Sequence, residues 1–302
     1  MAKRVRFDYF KVYARSFNEE DNVMEEGLCN ISEIISQSRE IEVTRRVFSV
    51  GDDQARLQNI TYNNNKWEMH FLRIRKDNFP LRTHDNGDFG FFDDLTDEEG
   101  FGEEVSALYD PENMTIMIRR NSHSLSPSSI SDFFTTLINR PGFTVFFKPL
   151  VHPRAIELLR REHLIRGAEV AIADVKNASQ RTKRSLGNVI RSTEEMDESV
   201  NIIFKIGLEP KGSKKSSRIP IYEELEAFAN DEKVKKVEVR MKPDEDSKVE
   251  TVDLIKNRLF DYHLFSDEDI NIESRNILHE TVISRMHQLY RVRLNDINNI
   301  YE

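Results

Sequence analysis

The sequence predicts an α+β fold: largely antiparallel sheets with interspersed helices, followed by a long C-terminal amphipathic helix. Many short segments alternate apolar and polar residues, which is the period of a strand with one buried face. Turn-forming residues separate several of these segments, and near the C-terminus the apolar residues recur at helical spacing. The 302 residues suffice for one large domain or two, and we expect an N-terminal part, 1–145, and a C-terminal part, 146–302.

The N-terminal part begins with a strand whose alternating apolar residues shift by one position at Phe10. This shift predicts a bulge or two short strands. Asn30 then precedes a helically spaced group of isoleucines and predicts a short capped helix. The turn at 111–113 predicts a hairpin, and Ser126 or Ser128 predicts the start of a second helix. Further strands are expected at 43–50, 57–62, 66–76 and 143–151.

The C-terminal part alternates helices with strands. Runs rich in β-branched residues are separated by polar loops from runs with helical spacing. Helices are expected at 153–164, 186–196, 219–230 and within 273–299, and strands at 168–175, 200–208, 234–242, 249–255 and 258–265.

Charge is distributed unevenly along the chain, whose formal net charge is −9. Residues 1–110 carry 14 Lys and Arg against 23 Asp and Glu, residues 111–242 carry 23 against 17, and residues 243–302 carry 7 against 13. A mildly basic middle segment therefore lies between acidic ends. A basic face attracts phosphates, whereas an acidic face repels them.

The composition excludes several classes of protein. The single cysteine, Cys29, cannot form an internal disulfide or a cysteine-based zinc site, and this usage fits a reducing cytosol. No segment has the roughly 18 consecutive apolar residues of a membrane helix, and the basic N-terminus lacks the apolar region of a signal peptide. The histidines show no zinc-binding spacing. We therefore expect a cytoplasmic protein with no membrane association, no metal and no cofactor.

The stretch at 84–104 is both acidic and aromatic. It holds nine carboxylates, four phenylalanines and no lysine or arginine. Its carboxylates do not follow the spacing of an EF-hand calcium loop, and its interleaved phenylalanines indicate that part of it packs against the protein. Two interpretations stay open: a solvated loop, or an acidic surface that binds a basic protein or imitates nucleic-acid phosphates.

Basic residues of the middle segment cluster in its loops. If they share one face, we expect them to bind nucleic acid nonspecifically, in a manner that weakens steeply as salt rises. No recognition helix or base-stacking motif accompanies them. The residues predicted to bind phosphate are Arg181, Lys183, Arg184, Lys211, Lys214, Lys215 and Arg218.

Asp174 and Lys176, at the end of the strand expected at 168–175, are the catalytic candidates. A carboxylate and a lysine two residues apart project from the same side of a strand. In restriction-type nucleases such a pair holds a metal and activates water. Apolar residues occupy the same side of this strand, which equally fits the end of a core strand. Because no other enzyme motif is present, a binding protein is favoured over an enzyme.

An apolar stripe on the expected C-terminal helix includes Val282, Met286, Leu289 and Tyr290. Helical residues three and four positions apart lie on the same face. The stripe predicts either packing in the core of the chain or a protein interface, which with a second copy forms a homodimer.

Two stretches resemble an uncharacterised family of bacterial and phage proteins that is known only as a domain of unknown function. They are GEEVSALYDPENMTIMIRRNSHSLSPSSISDFF (102–134) and, together with the C-terminal helix, KVEVRMKPDEDSKVETVDLIKNRLFDYHLF (236–265). The resemblance covers most of the chain, and its motifs are structural. Such families occur in mobile elements and phage-defence loci, where the KwaB component of the Kiwa system binds DNA without cutting it. By this analogy, the resemblance implies a role in phage–host conflict.

These observations lead to the hypothesis of a non-enzymatic, cytoplasmic binding protein in antiviral defence. Its basic middle segment contacts nucleic acid or a partner protein, and its acidic stretch contacts protein. One alternative is a metal-dependent nuclease that uses Asp174 and Lys176. Another is a protein-interaction subunit or a toxin-neutralising partner with no affinity for nucleic acid.

Overall fold

The chain separates into two compact units. The first comprises Met1–Phe147 and Phe260–Leu294, and the second comprises Lys148–Leu259 and Asn295–Glu302. The segment that forms β15 and most of the C-terminal helix therefore returns to the first unit, although the sequence pattern assigned it to the C-terminal part. The computed structural model describes residues 2–18, 23–50, 53–77, 79–96, 98–152, 155, 165–173, 202–207, 221–229, 231, 234–242 and 248–299.

The predicted α+β class is confirmed, including the predicted C-terminal helix. The strands, in chain order, are β1 (Lys3–Asn18), β2 (Val23–Leu28), β3 (Val47–Val50), β4 (Asp53–Asn63), β5 (Lys66–Arg75), β6 (Arg82–Thr83), β7 (Phe89–Gly90), β8 (Phe101–Asp110), β9 (Thr115–Arg119), β10 (Phe143–Pro149), β11 (Ile165–Ile172), β12 (Ile202–Gly207), β13 (Val234–Met241), β14 (Glu250–Asp253) and β15 (Phe260–Phe265). Within the described residues, the helices are α1 (Ser32–Glu40), α2 (Pro127–Ile138), α3 (Ile221–Ala229) and α4 (His279–Asn299).

In the part of the chain that the structure describes, nine strands form one sheet, which belongs to the first unit except for the end of β10. Their order is β10-β1-β9-β8-β5-β4-β3, and β2 and β15 also pair with β1. The ladders from β1 through β9, β8, β5 and β4 to β3 are antiparallel. The hairpin predicted around 111–113 is confirmed, because Asp110 of β8 pairs with Thr115 of β9.

Strand β1 is continuous, and its middle part is buried on both faces. Phe7 and Tyr9 face one side of the sheet, and Phe10 and Val12 face the other, with none of the four more than 4% exposed. A strand that is buried on both faces lacks the simple alternation of a half-exposed strand. The predicted bulge or break at Phe10 is therefore wrong, since β1 pairs with β9 from Phe7 to Lys11 without a register shift.

Helices α1 and α2 cover one face of this sheet and enclose a hydrophobic core. The predicted start of α2 is confirmed, because Ser126 Oγ accepts a hydrogen bond from the Ser129 N–H (3.0 Å). Helix α1 begins close to the predicted position, but its cap residue is Ile31, which makes no side-chain cap hydrogen bond; Asn30 Oδ1 instead accepts one from the Ser32 N–H (2.9 Å). These bonds satisfy N–H groups that have no partner within the helix. Phe133 of α2 is fully buried in the core.

Helix α4 packs against the opposite face of the sheet. Val282, Met286 and Tyr290 are at most 1% exposed, and the Tyr290 ring centroid lies 6.3 Å from that of Tyr9 in β1. Leu289 is partly buried. The predicted stripe thus packs within this chain, and three of its four named side chains are not available to a second copy. A homodimer stays a prediction, and it would have to form through another surface of the protein.

The second unit contains a four-stranded antiparallel sheet in the order β12-β11-β13-β14. Helix α3 packs on one face of this sheet through Leu225 and Phe228. Apart from Ala155, the helices predicted at 153–164 and 186–196 lie outside the described residues. Within the described part of the chain, no helix is both long and apolar enough to cross a membrane.

Candidate nucleic-acid interface

Strands β1 and β15 bring arginine and aromatic side chains together on one face of the first unit's sheet. The first half of β1 pairs with β15, so that Arg6 lies opposite Tyr262. Because alternate residues of a strand project from the same side, the residues two positions away on each strand share this face. Arg120 joins them from the end of β9, where its backbone N–H donates a hydrogen bond to the Arg6 carbonyl (2.8 Å). We call this surface the arginine–aromatic face; it comprises Arg4, Arg6, Asp8, Arg120, Phe260, Tyr262 and Leu264.

Two guanidinium groups of this face lie over aromatic rings. The central guanidinium carbon of Arg4 is 3.8 Å from the centroid of the Tyr262 ring, and that of Arg6 is 4.2 Å from the centroid of the Phe260 ring. The two rings contact each other edge to face, with centroids 5.4 Å apart. Each cation–π contact contributes about 0.5–1 kcal/mol at an exposed site. Together these contacts hold the guanidinium and ring planes in place before a ligand arrives.

Asp8 is the one carboxylate among the seven described residues that define the arginine–aromatic face. Its Oδ1 lies 2.7 Å from Arg6 Nε, and its Oδ2 lies 3.3 Å from Arg120 Nε. Arg4 has no carboxylate partner within the part of the chain that the structure describes. Three guanidinium groups and one carboxylate leave this surface with a net positive charge at neutral pH, although the whole chain is acidic.

The arginine–aromatic face is open to solvent. Tyr262 is 44% exposed and Leu264 is 61% exposed, and the side chain of Arg120 is 49% exposed. Nucleic-acid bases stack on exposed aromatic rings of antiparallel sheets, and guanidinium groups both stack on bases and bind phosphates. This surface therefore offers both kinds of contact that a single strand of nucleic acid makes.

The other face of the same sheet holds a buried polar cluster at the start of α4. We call it the histidine cluster; it comprises His70, Glu104, Ser106, Arg119 and His279. Ser106 Oγ and His279 Nδ1 share a hydrogen bond of 2.8 Å, and the rings of His279 and His70 stack with centroids 4.4 Å apart. The Glu104 carboxylate lies 3.2 Å from His70 Nε2 and 3.1 Å from Arg119 Nη1. Each of the five side chains has a partner within the cluster, as buried polar groups require.

Burial determines the protonation of the histidine cluster. It lowers the pKa of His279 to about 3, and the neighbouring His70 adds to this shift. Burial also opposes ionisation of Glu104, but the hydrogen bond from His70 and the charge of Arg119 outweigh it, so the pKa of Glu104 lies below its usual range. At neutral pH, a neutral His279 thus lies beside the ion pair of Glu104 and Arg119.

Most residues that were predicted to form a site lie outside the described residues. This holds for both catalytic candidates, Asp174 and Lys176, so the nuclease stays a prediction. It also holds for the residues predicted to bind phosphate, and their role stays a prediction as well. These are Arg181, Lys183, Arg184, Lys211, Lys214, Lys215 and Arg218.

Two described lysines of the basic middle segment are paired with carboxylates. Lys205 Nζ and Lys236 Nζ each lie 2.9 Å from an oxygen of Glu169, and Lys236 also lies 2.9 Å from Glu238. Hydrogen bonds from the two lysines lower the pKa of Glu169, and the two carboxylates raise the pKa of Lys236. These lysines are therefore partly neutralised within the second unit's own sheet.

The acidic stretch packs in part, as its phenylalanines indicated. Phe101 contacts Phe79 and Phe92, with ring centroids 5.1 and 4.9 Å apart, whereas Phe89 and Phe91 are 68% and 72% exposed. Among the described residues, no three His, Cys, Asp or Glu side chains are grouped so as to hold a metal ion. The two interpretations of this stretch, as a solvated loop or as a protein-binding surface, both stay open.

The arginine–aromatic face was missed at the sequence level because its two strands lie at opposite ends of the chain. The excess of carboxylates in residues 1–110 also conceals the local arginine pair of β1. A signal is nevertheless present: arginines alternate with apolar residues at 4–6, and aromatic residues alternate with polar ones at 260–263. The pairing of β1 with β15 is needed to join the two patterns.

The comparison with known protein families adds one finding. A model of a family of unknown function, DUF6731, matches residues 1–298. The chain belongs to this family. Membership of an uncharacterised family along most of the chain is thereby confirmed, whereas the link of this DUF6731 protein to phage defence stays a prediction. A search of curated proteins finds no match.

Proposed function

We propose that this DUF6731 protein is a non-enzymatic binding protein that holds single-stranded nucleic acid on the arginine–aromatic face. The observation that carries the proposal is a pair of stacked contacts on an exposed sheet surface: Arg4 over Tyr262, and Arg6 over Phe260. The guanidinium groups supply the positive charge, and the rings supply planes for the bases.

A single strand fits this surface better than a duplex does. In a duplex the bases stack on each other, so the side chains of a sheet reach mainly the phosphates. An unpaired base can instead stack on the ring of Tyr262 or on a guanidinium plane, which contributes about 1–3 kcal/mol per base. Phosphates on either side of that base then contact Arg4 and Arg120, which carry charge at every physiological pH.

Replacing Tyr262 with alanine is expected to weaken the binding of a fluorescently labelled oligothymidine by about 1–3 kcal/mol, because one stacking plane is lost. Arg4→Gln is expected to lower the slope of log affinity against log salt by about 0.7, the value for one phosphate contact in a single strand. Fluorescence anisotropy at several salt concentrations measures both effects.

Arg140→Gln is the matched control for these variants. Arg140 is also an exposed arginine of the first unit that lies over an aromatic ring, 5.7 Å from the centroid of Phe143, but it lies outside the arginine–aromatic face. We expect its variant to bind as the wild type does. If all the variants bind oligothymidine with the affinity of the wild type and keep its melting temperature, the proposal loses its basis. A preference of the protein for duplex DNA would contradict the stacking of unpaired bases on this face.

The loops of the basic middle segment belong to the same proposal as a second, nonspecific contact with the phosphate backbone. Changing Lys214, Lys215 and Arg218 together to glutamate is expected to weaken duplex binding at low salt, where charge contacts are strongest. Binding that is weak and unchanged at both low and raised salt would argue against a contact through these loops.

The proposal includes binding without cleavage. Plasmid DNA incubated with the protein and Mg²⁺ or Mn²⁺ is therefore expected to remain intact. Cleavage that disappears in Asp174→Ala would establish the nuclease alternative instead. A stable complex with a host protein, co-purified without affinity for nucleic acid, would favour the protein-interaction alternative.

The proposal also includes a cytoplasmic role in phage–host conflict. This role rests on the resemblance to an uncharacterised family of bacterial and phage proteins. If nucleic-acid binding serves defence, cells that express the wild-type protein should reduce phage plaque formation more than cells that express Tyr262→Ala. Equal plaque numbers with and without the wild-type protein, across a panel of phages, would separate the binding activity from defence.

A further inference from the structure

A groove of about 390 Å³ lies between the β4–β5 hairpin and helix α4 of the first unit. Its volume falls within the range of small-molecule sites, roughly 300–1,000 Å³. Asn59, Thr61 and Asn63 of the hairpin lie on one side, and Ser284 and Gln288 of α4 lie on the other. We propose that this groove is a binding site for an uncharged, polyhydroxylated small molecule, such as a mono- or disaccharide.

The lining of the groove supports an uncharged ligand that is rich in hydroxyl groups. It consists of four side-chain amides, two hydroxyls, two imidazoles, two carboxylates and the aliphatic side chain of Ile283. Amides and hydroxyls each donate and accept hydrogen bonds, which matches the hydroxyl groups of a sugar. A ligand without such groups would leave these side chains without partners.

The charges of the lining disfavour an anion. Among the residues that the structure describes, two glutamates and no lysine or arginine line the groove, so a phosphate or carboxylate there would be repelled. This sets the groove apart from the arginine–aromatic face, which is the proposed surface for nucleic acid. The two proposals therefore rest on different residues and stand independently.

Neither glutamate gives a cation a strong partner. The Glu68 carboxylate already lies 2.7 Å from His287 Nε2, with both side chains less than 15% exposed. Glu280 lies in the first turn of α4, where the positive end of the helix dipole offsets its charge. An uncharged ligand avoids both the repulsion of an anion and the competition that a cation would meet.

The walls of the groove are fixed before a ligand binds. Asn64 and Asn65 form the hairpin turn with φ of 49° and 58°, the left-handed conformation of a tight two-residue turn. On the helix side, His279 is held by Ser106 and stacks on His70. A rigid site loses little conformational entropy when it binds a ligand.

Several polar side chains of the groove have no protein partner. Within the described residues, the side chains of Thr61, Asn63 and Ser284 make no hydrogen bond to the protein, and all three are exposed. They are therefore free to exchange water for the hydroxyl groups of a ligand. This arrangement of fixed histidines and free hydroxyl and amide groups is what a small polar ligand requires.

Saturation-transfer NMR and titration calorimetry with glucose, sucrose and N-acetylglucosamine test this proposal. We expect at least one of these sugars to bind, and Thr61→Val to weaken it up to about tenfold, the effect of one lost hydrogen bond. Ser284→Trp is expected to abolish binding by filling the groove. Thr251→Val is the matched control, because Thr251 is an exposed threonine on a strand of the second unit.

Absence of binding by all three sugars would overturn the proposal, as would equal weakening by Thr61→Val and Thr251→Val. Preferential binding of spermidine or of AMP at the groove would overturn it too, since these probes are a cation and an anion. Arg4→Gln is expected to leave sugar binding unchanged. Its effect on oligothymidine thus tests the proposed function, and the sugar titrations test the groove.

Discussion

Replacing Glu104 with alanine is expected to lower the free energy of unfolding by about 3–5 kcal/mol, which is the cost of leaving a buried charge without its partner. The side chain of Arg119 is only 3% exposed and lies 3.1 Å from the Glu104 carboxylate. The same substitution removes the carboxylate that contacts His70 at 3.2 Å. Urea denaturation at neutral pH measures the change, with the melting temperature as a second measurement.

Asp94→Ala is the matched control, because Asp94 also contacts an arginine at 3.1 Å. The side chains of Arg82 and Asp94 are 45% and 69% exposed, and exposed ion pairs contribute at most about 1 kcal/mol. We therefore expect little change in stability for this variant. A loss for Glu104→Ala as small as that for Asp94→Ala would show that Arg119 finds water or another partner when the carboxylate is removed.

Acid is expected to destabilise the protein through His279. Burial lowers the pKa of this imidazole to about 3 in the folded state, whereas an unfolded chain protonates histidine near pH 6.5. Between these values the unfolded state binds more protons, so stability falls as the pH falls. The full effect is at most about 5 kcal/mol, reached near pH 3. Glu104 acts in the same direction at lower pH, because its pKa is also lowered in the folded state.

Urea titrations from neutral pH down to about pH 4 measure this dependence. His279→Gln keeps a hydrogen-bonding side chain beside Ser106 and removes the titrating group, so its stability should depend much less on pH in this range. His123→Gln serves as the control, because His123 is exposed and lies outside the histidine cluster. If His279→Gln keeps the pH dependence of the wild type, the acid sensitivity arises elsewhere in the protein.

Local features of the fold could be predicted from the sequence because their causes are local. Asn30 and Ser126 each precede a run of helical apolar spacing, and α1 and α2 begin just after them, although only Ser126 is the cap residue of its helix. The turn at 111–113 joins two alternating segments and forms the predicted hairpin. The stripe of α4 was also visible, but its periodicity alone could not distinguish core packing from an interface.

Features that depend on strand pairing could not be predicted. The segment that forms β2 contains Glu25 and Glu26 and has no apolar alternation, yet β1 pairs with it, and Arg15 of β1 forms an ion pair with Glu26 (2.9 Å). The histidine cluster and the arginine–aromatic face also arise from the pairing of strands that are distant in sequence. His70 and His279 have no motif spacing, and the arginines of β1 meet their aromatic partners only through the pairing with β15.

The discontinuous first unit has a consequence for biosynthesis. Strand β1 is translated before residues 148–259 of the second unit, whereas β15 and most of α4 are translated after them. Until then, one edge of the nascent β1 lacks β15, and the sheet surface around His70 lacks its helix. Contacts between segments so distant in sequence form slowly. The sheet of the first unit is therefore completed only after residues 148–259 have been synthesised.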